Sequence, residues 1–332
     1  MFLSLARSKS PAMLILLLLT GLLLWWYSFT QQPVFPLDRE GNALFFSIIQ
    51  DHVHLNSLSS RIIAFVIVII EAMILLVYNR KHILIDSQTY FPAIVYILLA
   101  SSFIHLQKLN APLIGSFFVF LMAGQIFAFY RNKYILNNLF IAGLLISIAS
   151  LFYIYAVLFF LLIWISLTIL RSFSLREWFV PVLGFIFPYL FVIAFYYLKE
   201  GIAIQDFLIE VKALIFSTVE TTFYSAPHYM LFAFVGLLVV LGSLFLLRTF
   251  PVRKIYIRMF YEIFWWMFII CLAMFFVPDY ISSAGIVYFA ALPLSFLFGN
   301  YFVNIRSKVF GNILIALLLL LVIFVHVNHY LL

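Results

Sequence analysis

Apolar runs of similar length alternate with short polar clusters along the whole chain. A hydrocarbon core about 30 Å thick takes about 20 apolar residues in helical form. Runs of that kind cover 11–29, 61–78, 89–106, 113–130, 178–198, 229–247, 260–277, 284–300 and 309–330. The block from Tyr134 to Leu170 is too long for one crossing and barely long enough for two. Arg131 and Lys133 precede it and Arg171 and Arg176 follow it. Basic loops stay in the cytoplasm, so both ends are expected inside and the block must cross an even number of times. The pattern predicts a tight hairpin, 134–150 and 152–170, with its apex near Ser147 to Tyr153. Interrupted segments of this type can line a cavity where exposed backbone is tolerated. The expected fold class is all-α: a polytopic transmembrane helix bundle of about eleven crossings, N-in and C-out, forming one integral membrane domain over 1–332.

Composition sharpens this picture. Of the 332 residues, 67% are hydrophobic and 9% charged, against about 45–50% and about 25% in a soluble domain. A water-soluble core is excluded on that ground. The sequence pI of about 9.4 does not point to nucleic acid, because the basic residues sit in short clusters between apolar runs. The alternating assignment puts fourteen of the 19 Lys and Arg residues inside and five outside: Arg39, Arg61, Lys108, Lys199 and Lys212. Most acids fall on the outer side, including Asp38, Glu40, Asp51, Asp206, Glu210 and Asp279. Cys271 is the one cysteine, so neither an intrachain disulfide nor a cysteine metal motif is available. Arg7 and Lys9 before the first apolar run imitate a signal peptide. No small-residue cleavage pattern follows, and the run is expected to remain as an anchor.

Two outer loops are long enough to hold structure. The loop 30–60 contains the apolar run Ala43 to Ile49. The loop 199–228 spaces Ile204, Phe207, Leu208, Val211, Leu214, Ile215 and Val219 at helical intervals. Each is expected to carry a helix lying in the interface.

Three stretches carry a family likeness. They are Ser8-Lys9-Ser10-Pro11 before the first span, Ala149-Ser150-Leu151-Phe152-Tyr153 at the hairpin apex, and Arg176-Glu177-Trp178 with Pro181, Gly184 and Pro188 after it. Together they resemble an inner-membrane family of Bacteroidota-type bacteria classed as a domain of unknown function, which implies a bacterial inner-membrane location and no assigned chemistry. The overall layout is also similar, more distantly, to GT-C glycosyltransferases. That likeness implies interfacial helices in the first outer loop, a catalytic carboxylate there, and a polyprenyl-phosphate-linked sugar as donor. On this chain the implied carboxylates are Asp38, Glu40 and Asp51, acting as base toward an acceptor hydroxyl. The cations that would meet the substrate phosphate are Arg39, Arg61 and Lys108, with a divalent metal as a conceivable cofactor. The loop is shorter than in those enzymes and lacks a paired Asp-Glu motif. A solvated cluster of loop charges is the plainer reading of the same residues.

Glu71 stands near the middle of a predicted span, where an acid is costly and marks either function or a specific partner. Counted from the outer ends, Glu71, Tyr96 and Gln125 fall at similar depth. Burial disfavours the charged carboxylate, so a neutral Glu71 is expected. It would be either a proton relay or a packing pin bonded to Tyr96 or Gln125. Six histidines, His52, His54, His105, His228, His326 and His329, map to the outer side and only His82 to the inner. They are expected to be interfacial histidines, since no metal signature accompanies them. Pro188 is expected to kink its span, and Arg176-Glu177-Trp178 to form an elbow at the interface.

Three functions from different classes remain open. One is envelope biogenesis on lipid-linked glycans, as a glycosyltransferase-like enzyme or its non-catalytic partner. The second is a secondary transporter or flippase working through Glu71, and the third is a structural assembly factor. Membrane lipids are the expected surroundings in all three.

Overall fold

A computed structural model describes residues 12–31, 33, 45–46, 48–49, 54–85, 89–130, 132, 134–200, 226–276 and 285–331. Among them lie eleven α-helices in chain order: α1 Ala12–Gln31, α2 Leu58–His82, α3 Phe91–Ala100, α4 Ala111–Phe127, α5 Leu136–Phe152, α6 Phe160–Leu170, α7 Leu175–Glu200, α8 Ala226–Thr249, α9 Ile255–Phe276, α10 Ile286–Asn304 and α11 Lys308–Leu331. Seven of these, α1, α2 and α7 to α11, are long and apolar enough to cross a membrane. The other four have 10 to 17 residues.

The bundle is apolar on the outside as well as within. Leu23, Trp26, Phe191, Leu198 and Leu320 are each more than half exposed. On α7 the sequence Phe179, Leu183, Ile186, Phe187, Leu190 faces outward. Water would not support so large an apolar surface, whereas lipid does. The core is organised around α10, which is buried along nearly its whole length and packs against α3, α4, α8 and α9.

The helix ends separate into two groups. At one end, Ile83, Thr249, Arg253, Tyr256 and Asn304 share a cavity. Tyr130 packs on Tyr256 at 5.8 Å, and His82 packs between Phe127 and Phe260. At the other end Ser28 bonds Gln107, Arg61 bonds Pro33 and Phe103 stacks on His228. Among the described side chains, Arg80, Lys81, Arg171, Arg176, Arg248, Arg253, Lys254, Arg258, Arg306 and Lys308 follow the first end. Only Arg61 and Lys108 follow the second. The chain thus has a basic end and an opposite end, in the grouping that the loop charges predict.

Between α5 and α6 the helix runs to Phe152, and Tyr153 is extended. A tight 3-10 stretch, Ile154–Phe159, then leads into α6. The break falls at the predicted apex. The following elbow is tied by an ion pair of 3.1 Å between Arg171 and Glu177 and by Trp164, which donates to the Trp178 carbonyl at 3.2 Å. Helix α7 continues through Pro181 and Pro188 as one helix, although Pro188 has no N–H to offer the Gly184 carbonyl.

Two expectations change. The apolar run 89–106 predicts a full span, but α3 ends at Ala100 and the chain leaves the α-helix inside the bundle. The apolar residues Phe103, Ile104 and Leu106 continue the run in composition without continuing the helix, because they pack against protein on every side. Helix α4 correspondingly starts deep. Of the loop 30–60, Phe45, Phe46, Ile48 and Ile49 are helical, and Phe46 is buried in the core. The helix predicted over 199–228 falls mostly outside the described residues.

Candidate functional site

The opposite end is built around residues 101–110, a segment between α3 and α4 that leaves the α-helix, makes one 3-10 turn at Ile104–Leu106, and buries every residue but His105. Backbone polar groups at membrane depth must find partners inside the protein, and this segment recruits them from four helices. Gln107 is the hub. Its amide nitrogen donates to the carbonyls of Ser101 at 3.0 Å and Leu24 at 3.2 Å, and its carbonyl accepts from Ser28 at 2.8 Å. His326 Nε2 lies 3.2 Å from the same amide, while its Nδ1 is 2.9 Å from the Val322 carbonyl. With the proton on Nδ1 donated to Val322, Nε2 is an acceptor that shares the two amide hydrogens of Gln107 with the carbonyls of Ser101 and Leu24. Trp25 Nε1 donates to Ser101 Oγ at 2.8 Å, and Tyr288 Oη donates to the Leu106 carbonyl at 2.8 Å. Asn110 donates to the carbonyls of Leu106 and Lys108 and caps α4 by accepting from Leu113 N at 2.9 Å.

Arg61 and Lys108 each neighbour a residue of one bond that ties this segment to α2. Leu109 N donates to Ser60 Oγ at 3.0 Å, which joins the first turn of α2 to the residue after Lys108. Both cations are sealed from solvent, Arg61 at 0% exposure and Lys108 at 2%. Arg61 Nη2 donates to the Pro33 carbonyl at 2.6 Å, but its Nε and Nη1 have no hydrogen-bond partner. A guanidinium is always charged and presents a planar fork of donors. Here two of its three nitrogens are buried and unanswered.

On its other flank the segment borders an apolar groove of about 490 Å³ between α8, α9 and α10. Phe103, Phe232, Val235, Phe268 and Phe275 are among its walls. Gly236 belongs to the same wall, and a side chain there would meet nothing within 4 Å.

Deeper in the bundle sits Glu71, fully buried. Tyr96 Oη donates to one carboxylate oxygen and Ser116 Oγ lies 2.8 Å from the other. The expected link to Tyr96 is present. Gln125 is elsewhere, accepting from Asn138 at 2.8 Å. Counting from the outer ends sets α2 and α4 at one level, whereas the two helices start at different depths. Glu71 lies thirteen residues into α2, and Ser116 only five into α4. At about 1.5 Å per residue, α4 starts roughly 12 Å deeper than α2.

Asp38, Arg39, Glu40 and Asp51 lie outside the described residues, as do His52 and the side chain of His329. Ser150 bonds Tyr189 at 2.8 Å and Tyr153 stacks on Phe289 at 5.6 Å; neither lines the groove. Among the described residues no three His, Cys, Asp or Glu side chains are grouped to hold a metal ion. The hub residues Gln107, Ser101 and Ser28 were missed by sequence reasoning. The polar density of 101–110 was the available signal, and it resembles that of an ordinary loop. No family model, no curated protein and no solved structure matches this chain.

Proposed function

We propose that this protein acts in envelope biogenesis at a bacterial inner membrane. It binds an anionic lipid-linked glycan of the polyprenyl-phosphate class at the end that carries Arg61, either as a glycosyltransferase-like enzyme or as its non-catalytic partner. The observation that carries the reading is the buried Arg61 fork with two donor groups unanswered. An uncompensated buried charge costs several kcal/mol, and a phosphate-bearing head group supplies the missing counter-charge with matching bidentate geometry. Lys108 adds a second cation, and the apolar groove beside Phe103 suits the lipid chain. Asp38, Glu40 and Asp51 of the neighbouring loop are the carboxylates through which an enzymatic role would run.

Undecaprenyl phosphate is the probe, its binding followed by intrinsic tryptophan fluorescence in detergent. Arg61→Met should weaken binding at least tenfold while leaving the melting temperature unchanged or raised, because a buried unpaired charge has been removed. Equal binding by wild type and Arg61→Met would sink the proposal. Surface glycan in cells with Asp38→Ala, Glu40→Ala or Asp51→Ala separates the two roles: normal glycan at normal abundance in all three leaves the non-catalytic one.

The membrane topology that goes with this reading has about eleven crossings, with the basic end in the cytoplasm. Cys271 is 2% exposed, so cysteine labelling starts from a low background. Lys108, otherwise a natural reporter, is buried. His54 and Arg306 are exposed. His54→Cys should react in intact cells, and Arg306→Cys only after the cytoplasm is opened. The reverse pattern would invert the orientation.

A further inference from the structure

At the basic end, α2, α8, α9 and α10 enclose a cavity of about 470 Å³. Its size falls within the range of small-molecule sites, about 300–1,000 Å³. Its lining divides in two. Arg253, Lys254, Tyr256, Thr249 and Asn304 supply the polar part, and Ile83, Phe245, Val252 and Ile257 the apolar part. Among the described residues, no Asp or Glu lines it. From these observations we infer that the cavity is a binding site for an anionic phospholipid of the surrounding bilayer, its phosphodiester held by Arg253 and Lys254 and its glycerol and first methylenes laid on the apolar wall.

Three features support this occupant. First, Arg253 is held in place before any ligand arrives. Its Nη2 donates to Asn300 Oδ1 at 2.7 Å, and its guanidinium lies 5.8 Å from the centre of the Tyr261 ring. Asn304 donates to the same Asn300 oxygen at 3.1 Å, so two lining residues share one buried anchor. Arg253 itself sits in the short connection between α8 and α9, and its bond to Asn300 of α10 fixes it there; a cation held in advance recognises a phosphate at lower ordering cost than a free one. Second, further basic residues lie at the same end on the helices whose ends line the cavity: Arg248 in the last turn of α8, and Arg80 and Lys81 in the last turn of α2. Basic pockets between membrane helices at a positively charged face are a recurrent setting for anionic lipid head groups. Third, the apolar half is continuous in kind with the lipid-facing surface, since Val252 is 88% exposed and Ile83 48%. A soluble phosphate compound would find nothing to place against those residues, whereas a phospholipid would.

The test uses the full chain in nanodiscs and native mass spectrometry of the released protein. With mixed phosphatidylglycerol and phosphatidylcholine, wild type should retain phosphatidylglycerol selectively, and millimolar glycerol phosphate should not displace it. Arg253→Ala with Lys254→Ala should reduce that retention about tenfold. The pair Arg306→Ala with Lys308→Ala removes the same charge at the same end, outside the cavity, and should leave retention unchanged. Because Arg253 also braces Asn300, Lys254→Ala with Ile257→Trp provides a second test that keeps the brace and fills the cavity; it should release the lipid too. Equal loss from the Arg306 and Lys308 pair would reduce the site to diffuse surface charge. Absence of phosphatidylglycerol preference, or displacement by glycerol phosphate, would overturn the lipid assignment.

Discussion

Replacing Gly143 or Gly184 by alanine is expected to remove most of the protein from the membrane. These two glycines form the crossing of α5 and α7. A Cβ at Gly143 would stand 2.0 Å from the Pro181 carbonyl oxygen, and one at Gly184 would stand 2.1 Å from that of Phe140. An unstrained carbon–oxygen approach is about 3.3 Å or longer, so each methyl group demands more than an ångström of helix separation. The obstructing atoms are backbone and cannot rotate away. Membrane helices associate through close packing of small residues rather than through a hydrophobic drive, so separating α5 from α7 forfeits the contact itself. Overpacking typically costs about 1–3 kcal/mol, occasionally more; with rigid backbone on both sides, about 3 kcal/mol or more is expected for either substitution. Gly236→Ala serves as the control. Its new methyl group enters open space, and its melting temperature in detergent should match wild type. A Gly184→Ala protein that melts normally would show that the two helices do not cross as described.

The second large effect concerns Glu71. Glu71→Ala should destabilise strongly, whereas Glu71→Gln should be close to neutral. Alanine leaves a cavity and strips Tyr96 Oη of its partner in a fully buried position, at about 1–3 kcal/mol for the orphaned hydroxyl alone. Ser116 is less affected because it also contacts the Leu113 carbonyl at 2.8 Å. Glutamine keeps the volume, with one oxygen to accept and one amide to donate. No ion-pair partner faces Glu71 among the described residues, so removing its capacity for charge should not break a Coulombic contact. Abundance and melting temperature of the two variants, with Tyr96→Phe beside them, check this. A glutamine variant as unstable as the alanine variant would mean that a charged carboxylate is required. A stable glutamine variant that has lost cellular function would instead favour a proton relay.

The parts of this architecture that were legible in the sequence are those written in long runs. Seven helices follow directly from apolar stretches of bilayer length, and most of the described basic residues gather at one end of the bundle. The break at Tyr153 was legible for a different reason: charges on both sides of 134–170 required an even number of passes, and the length left little room for a turn. What escaped was depth. Within 89–106 the pair Ser101 and Ser102 follows Ala100, but Phe103, Ile104 and Leu106 are as apolar as what precedes them, so the run does not mark the end of the helix. Once that boundary is missed, α4 is set at the wrong level, Gln125 is paired with Glu71, and Ser116 is overlooked. Arg61 and Lys108 were named from their charge alone. Their burial depends on four helices meeting around 101–110, which one chain segment does not announce. Gly184 was noticed beside Pro188, but its contact with Phe140 is a property of the crossing.

The short helix α3 has a consequence for how the chain is made. Ten residues reach about 15 Å, half of a bilayer, and the polar segment that follows cannot lie against lipid. Residues 91–110 therefore have no stable place in the membrane on their own. Their main partner is α10, beginning at Ile286, with Tyr288 supplying the bond to the Leu106 carbonyl. At about 5–20 residues per second, roughly 10 to 35 seconds separate the synthesis of the segment from that of its partner. During that interval the young chain holds an incomplete crossing at its centre. A ribosome stall or truncation before Ile286 would leave it there, presenting Gln107, Lys108 and Asn110 to the insertion and quality-control machinery as the signature of an unfinished protein.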